Sequence, residues 1–446
     1  MKKILATILM IGFLLCTIIV CQKGNTSALE PRHVTVEAEN GQYRLHVDGE
    51  PFIVKGVGMG GPGDGSRIRA LKEAGGNSLR TWGSRNGQAL LDTAAHYGLM
   101  VAMGLGMGQE LHNFDYEDTV AVKRQFERIK EAVDRYKNHP YLLCWVAGNE
   151  LNLVFDDSNK LILANPKTYE ALDDIVKYIH KTDPNHPVTT PFAGVQKNSI
   201  EHALKYCPDL DFLSYQVYGG LGEIPAQVAA TGVLKPYLIT EFGPVGHWER
   251  PHTEWGREIE ETSTEKANGL RERMQKAFLE DSTGLNMGGF AFLWGSKQER
   301  TPTWYGLFNK SGEATASVDE LTKFWSGSYP ANRAPQIDSM LLNGKKAVDN
   351  IYLKPNREYA AKVDASDPNG DALTYKWVMM KEVVVRSQGG SREIEPGTLD
   401  FKILADKNGE LRFVSPDSTG EFRLFSYIYD GKGKVGNANI PFCVKK

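Results

Sequence analysis

The chain has 446 residues, with 52 Lys+Arg against 55 Asp+Glu for a net charge of −3, and 41% of its residues are apolar, beside 45 Gly and 21 Pro. At roughly 100–200 residues per domain the length excludes one small domain, and the composition excludes global disorder, a collagen-like repeat and a polytopic membrane protein. A near-neutral balance without a long basic run beyond the N-terminus excludes an electrostatic nucleic-acid binder.

The first element is an export signal. Met1-Lys2-Lys3 precedes an apolar run from Ile4 to Val20, the positive start and greasy stretch of such signals, and the run is at the short end for a membrane span of about 20 residues. Ile18-Ile19-Val20-Cys21 resembles a lipobox, with Cys21 as the lipidation site, although Val20 stands where such signals carry a small residue. An ordinary secretory signal and an uncleaved anchor are the alternatives. The expected location is the cell envelope, at a bacterial membrane through a lipid anchor. Residues 22–49 read as a polar tether and a hairpin: Val34–Glu37 and Tyr43–His46 flank Asn40-Gly41 and are placed to plug a barrel from below.

From Phe52 to Trp325 short apolar runs alternate with amphipathic segments, the pattern of repeated βα units. Strands are predicted near Phe52–Gly56, Asn77–Trp82, Leu99–Gly104, Leu142–Gly148, Val188–Phe192, Phe212–Val217, Tyr237–Glu241 and Gly288–Trp294. Helices are predicted at Ser66–Ala74, Gly87–His96, Asp118–Tyr136, Thr168–Lys181, Ser199–Tyr206, Ile224–Ala230, Thr264–Glu280 and Ala316–Phe324. Eight units over residues 50–326 predict an α/β fold, a (β/α)8 TIM barrel. The glycine-rich run Gly58–Gly65 lacks both nucleotide fingerprints and reads as the first βα loop. Cys144 and Cys207 lie apart, without metal-ligand spacing, so no metal site and no thiol nucleophile is expected, and Cys144 reads as a small buried hydrophobe.

Residues 327–335 read as a linker, and residues 336–446 as a small all-β sandwich, because short β-rich runs there are separated by turn sequences. Asn332-Arg333-Ala334-Pro335, the stretch Asp364–Asp371 and Tyr375-Lys376-Trp377 resemble the immunoglobulin-like modules of bacterial surface enzymes. The acids Asp367 and Asp371 with Asn369 read as a hairpin turn, calcium being the alternative. The barrel is expected to carry the chemistry without the sandwich.

In a parallel barrel the C-terminal strand ends share one mouth, so acidic residues there are the first candidates. Glu150 follows strand four and Glu241 ends strand seven, each behind an apolar strand that cannot solvate it. Two carboxylates across a pocket can cleave a glycosidic bond, one as proton donor and the other as nucleophile or base. His247 and Trp248, just after strand seven, and Trp82 and Trp304 are candidates for outer sugar subsites, and Trp145 and Trp294 for apolar walls.

Gly148-Asn149-Glu150 together with Glu241 resembles clan A of the glycoside hydrolases, retaining enzymes on (β/α)8 barrels. Phe52–Val57 and Leu79–Trp82 are similar to family 2 barrel domains and to β-1,3-glucanases and glucanosyltransferases. The resemblance implies that Glu150 is the acid/base and Glu241 the nucleophile. It further implies that Asn149 binds the sugar 2-hydroxyl, Arg80 holds the nucleophile ionised, Tyr218 touches it, and Trp294 forms the floor under the cleaved sugar. The implied activity is a retaining β-glycosidase on an extracellular polysaccharide, first a β-1,3-glucan, acting without a cofactor and as a monomer. A transglycosylase on the same site and a non-catalytic glycan-binding lipoprotein are the rivals.

Overall fold

The computed structural model describes residues 30–386, 390 and 392–446. Cys21 and the apolar run before it lie outside them. Eight parallel strand positions form the barrel among the described residues: Val54–Gly58, Ser78–Arg80, Met100–Leu105, Leu142–Ala147, the broken fifth, Leu213–Gln216, Tyr237–Phe242 and Asn286–Ala291. The fifth is two short pieces. Val188–Thr189 pairs only with strand four, and Pro191–Ala193 only with strand six. Proline has no N–H for the ladder, which fits a break beside Pro191 and a closure shared between two half-strands.

The helices alternate with these strands close to their predicted bounds, from Ser66–Glu73 to Ala316–Ser326. Asp118 caps Thr119–Tyr136 by accepting from the N–H groups of Val120 and Ala121, which satisfies donors that the first turn leaves open. The seventh helix is shorter than its apolar pattern predicts: α-helix runs over Ser263–Met274 and gives way to a π turn over Gln275–Leu279.

The barrel floor follows from the hairpin. Val34–Glu39 and Gln42–Val47 pair in antiparallel register, joined by a third strand, Glu50–Phe52, where the sequence pattern had placed the start of the barrel. Val34, Leu45 and Val47 pack with Met100, Leu143, Cys144, Phe212, Leu238 and Phe290 from inside the barrel. Burial pushes the Cys144 thiol up to about 12, so this sulfur packs as a hydrophobe.

Beyond the last helix two sheets face each other, antiparallel except where Tyr352–Leu353 pairs in parallel with Val435–Val444. One joins Gln336–Leu342, Glu358–Ser366, Glu410–Val414 and Ile403–Lys407; the other joins Tyr352–Leu353, Val435–Val444, Gly420–Tyr429, Thr374–Lys381 and Thr398–Leu399. Their inner residues, among them Trp377, Leu411, Phe413, Leu424 and Phe442, form a separate core. At the sandwich's edge, carboxylate oxygens of Asp367, Asp371 and Asp430 lie within 4.8 Å of one another, and Lys432 pairs with Asp371 at 2.5 Å.

The stretch expected to be a linker is fastened along its length. Ala334 is fully buried and its N–H donates to Asp319, Arg333 N donates to Asn369, and Asn332 donates to Asp430. The sandwich is seated on the barrel through buried polar groups, Arg423 donating to the Glu258 carbonyl at 2.8 Å and Asn439 to Glu260 at 2.6 Å, and through the half-buried pair Arg257–Glu421 at 2.5 Å. Main-chain bonds between Ala314 and both Gly433 and Val435 stitch the same seam. Barrel and sandwich thus share one polar interior, whereas a free linker would leave each with its own surface.

Candidate active site

At the end of strand four the chain turns through Gly148 (φ 74°) into Glu150 (φ 50°). A left-handed glutamate costs of order 1 kcal/mol or more, so the surroundings must impose it. They do so through Glu150 N, which donates to Pro191 O at 3.0 Å, and through Leu151, buried so tightly that a Cβ on Gly148 would stand 2.7 Å from its side chain. The turn aims two consecutive polar side chains at the mouth. Gln109 locks it further by donating to the Asn149 carbonyl at 2.6 Å.

Glu241 lies inside strand seven and is almost wholly buried. The register between strands six and seven shifts between Tyr215 and Gln216, so that Gln216 stands beside Glu241. Such irregularities re-aim side chains, and here Gln216 and Tyr218 both reach the site. Glu241 Oε1 accepts from Arg80 Nη1 at 2.5 Å and from Trp82 Nε1 at 2.6 Å, and Oε2 accepts from the Tyr218 hydroxyl at 2.8 Å. Arg80 is fully buried and is anchored by a second bond to the Thr240 carbonyl at 3.1 Å. Trp82 reaches Glu241 because strand one ends in Gly58, where a Cβ would stand 2.8 Å from the indole.

Asn149 is oriented by the same network. Its Oδ1 accepts from Arg80 Nη2 at 2.8 Å and from Gln216 Nε2 at 2.7 Å. A guanidinium only donates, so the oxygen must face Arg80, and the amide NH2 is the end left to donate to a ligand.

Glu150 has the opposite environment. Among the described residues its carboxyl joins no ion pair and no protein donor reaches it. Burial, and then the charge of Glu241 across the mouth, push it up to about 8, while Arg80 and Lys297 pull the other way. The mouth therefore holds one carboxylate ligated on both oxygens and one carboxyl poised to carry a proton near neutral pH.

The aromatic wall differs from the one predicted. Trp294 is 1% exposed, donates its indole N–H to the Arg67 carbonyl at 2.8 Å and packs edge-on against Phe308, so it belongs to the layer between strands and helices and forms no floor. Trp145 is buried likewise and donates to Asp183, and Trp304 donates to the Val245 carbonyl. Phe292 takes the wall position, edge-to-face with Trp82, Tyr218 and Tyr305. His247 and Trp248 sit on a short 3₁₀ turn after strand seven; Trp248 is 58% exposed beside the Tyr218 ring, and His247 pairs with Glu299 at 3.5 Å. Sequence reasoning passed over Gln216, Gln109, Phe292 and Glu299. Gln216 and Phe292 stand at strand ends, where a search for polar or aromatic residues of any type finds them; Gln109 and Glu299 lie in loops without a local signal.

Residues 66–252 match the family described as glycosyl hydrolases family 2, TIM barrel domain. Over 119 residues the chain is 31% identical to a probable mannan endo-1,4-beta-mannosidase C of Aspergillus terreus, which covers 25% of this chain and 29% of that protein. Among solved structures it resembles a Bacteroides uniformis beta-glucuronidase 2 covalently bound to cyclophellitol-6-carboxylate aziridine (15% identity, TM-score 0.52, covering 92% of this chain and 48% of that one). It also resembles a beta-galacturonidase from Eisenbergiella tayi (18% identity, TM-score 0.51, 67% and 55%). The chain spans less than a third of the curated relative and about half of these structures, whose likeness is one of fold.

Proposed function

We propose that this chain, whose residues 66–252 match the family 2 TIM barrel domain, is a clan A retaining β-glycosidase with Glu241 as nucleophile and Glu150 as acid/base. The observation that carries the reading is the contrast between the two carboxyls: Glu241 is held by Arg80, Trp82 and Tyr218, while Glu150, half-buried and without a protein donor, holds its proton. Environments that differ in this way assign acid and nucleophile. Glu150 protonates the glycosidic oxygen as a Glu241 oxygen bonds to the anomeric carbon and the leaving group departs as an alcohol. Glu150, now a carboxylate, takes a proton from water, whose oxygen displaces Glu241 and restores both groups with retained configuration. Asn149 donates to the sugar 2-hydroxyl, Phe292 and Tyr218 line the cleavage subsite, and exposed Trp248 with His247 offers a platform to the next sugar. The chemistry calls on no cofactor.

The proposed substrate is a β-linked polysaccharide outside the cytoplasm, first a β-1,3-glucan on the resemblance of Phe52–Val57 and Leu79–Trp82, and second a β-1,4-mannan on the identity with the mannosidase. Export and lipidation at Cys21 belong to the same proposal and rest on residues 1–27. Purified protein assayed on β-1,3-glucan, β-1,4-mannan, β-1,4-glucan and aryl β-glycosides, glucuronides included, tests it, with product sizing and NMR of the first-formed anomer. Retained β-configuration is expected. An inverted product, or no turnover on the whole panel, overturns the reading.

A further inference from the structure

After strand eight the barrel loop Lys297–Arg300 runs beside the mouth. Lys297 Nζ lies 5.3 Å from the centroid of the Phe292 ring and pairs with Glu299 at 2.6 Å, and Glu299 faces His247. Arg300 is left-handed (φ 62°), a conformation that a lone loop would abandon. The contacts that impose it come from the sandwich, from the segment joining Thr374–Lys381 to Thr398–Leu399. The Glu393 side chain is fully buried; its Oε1 accepts from Arg300 N at 2.7 Å and from Gln298 Nε2 at 2.9 Å, and its Oε2 from Arg300 Nη1 at 3.0 Å. Gly390 O accepts from Lys297 Nζ at 3.4 Å. Three of four consecutive loop residues are thus gripped by one stretch of the other domain.

We propose that Glu393 is a positioning residue of the active site, supplied by the sandwich, which fixes the loop Lys297–Arg300 so that Lys297, over the Phe292 ring, and Glu299, against His247, stand at set places by the mouth. The proposal rests on the reading of Glu150 as acid/base, but it can be tested without turnover. The charged groups that face Glu150 are Glu241, Arg80, Glu299 and Lys297. Only the last two ride on the gripped loop, where they pair with each other and act on Glu150 in opposite senses, Glu299 favouring the protonated form and Lys297 the charged one.

The test is ¹³C NMR titration of the full chain labelled at glutamate Cδ, with the Glu150 signal assigned by its loss in Glu150→Gln. Glu393→Ala is expected to lower the Glu150 midpoint by about half a pH unit or more, because a released loop admits water and removes Glu299 from its place. Glu299→Gln is expected to lower it and Lys297→Gln to raise it, while Glu393→Gln, which keeps one carbonyl acceptor, falls between wild type and Glu393→Ala. An unchanged midpoint in Glu393→Ala, with native near-ultraviolet circular dichroism, overturns the proposal; if that variant does not fold, an unchanged midpoint in Glu393→Gln does so. A shifted midpoint in a protein that cleaves no glycoside would remove the proposed function and leave the positioning role standing. An active wild type with an unmoved midpoint would do the reverse.

Discussion

Two regions of the molecule bury glutamates, the barrel mouth and the seam between barrel and sandwich, and they differ in what reaches each carboxylate. At the seam Glu260 accepts from Lys266 at 2.5 Å, Thr301 at 2.6 Å, Asn439 at 2.6 Å and Thr303 at 2.8 Å. Burial opposes its charge, but Lys266, the Thr301 hydroxyl and the charge of Arg423 outweigh burial and hold the carboxyl below the usual range. At the mouth Glu150 is half-buried with no such donors, and its carboxyl goes the other way. A buried acid with every lone pair taken is a structural joint; one left unligated near a second carboxylate is available for proton transfer.

The largest expected effect breaks the mouth. Glu241→Ala should lower kcat/KM by roughly 10⁴-fold or more, since removal of a nucleophile abolishes the step itself; steady-state kinetics on the best substrate of the panel checks this, and a loss under tenfold would deny Glu241 its role. Glu150→Gln should cost about 10²–10⁴-fold on substrates with poor leaving groups and little on aryl glycosides whose phenols need no proton. Equal losses on both substrate types would contradict an acid at this position.

A matching break at the seam should act on stability. Glu260→Ala leaves Lys266 buried and unpaired, a situation that costs about 3–5 kcal/mol in comparable buried pairs. Urea denaturation should show it, and Glu150→Gln should show no such loss. A chain ending at Gly327 removes Asn439 from Glu260 and both Arg386 and Arg423 from Glu258, and is expected to be insoluble or partly unfolded. A stable, active truncation would mean that the seam's buried bonds contribute little.

The pH profile sharpens the contrast. Glu150 acts in its protonated form, and its folded value lies above that of an ordinary carboxyl, so the proton is kept at neutral pH and lost as pH rises through about 8. The basic limb of kcat/KM should fall near there and vanish in Glu150→Gln. Trp248→Ala is the mildest change: an exposed aromatic platform is worth about 0.5–1.5 kcal/mol, so KM for oligosaccharides should rise up to about tenfold with kcat nearly constant.

Periodicity and strand-end position were enough to read eight βα units, the plugging hairpin, the sandwich, and the placement of Glu150 and Glu241 at one mouth, because each depends on neighbours within one segment. Arg80, Asn149 and Tyr218 were reached through the resemblance to clan A, and the structure brings all three to one network around Glu241. The choice between Phe292 and Trp294 needed the tertiary structure. Strand eight ends at Ala291, past which alternation no longer dictates a side chain's direction, and the Arg67 carbonyl and Phe308 draw Trp294 away from the mouth. The seam was likewise out of reach: Asn439 meets Glu260 across 179 residues, and Glu393 meets Arg300 across 93. Ordinary-looking polar residues become a joint, or a hold on the mouth, only when folding removes water from both partners at once, and no local pattern records that pairing.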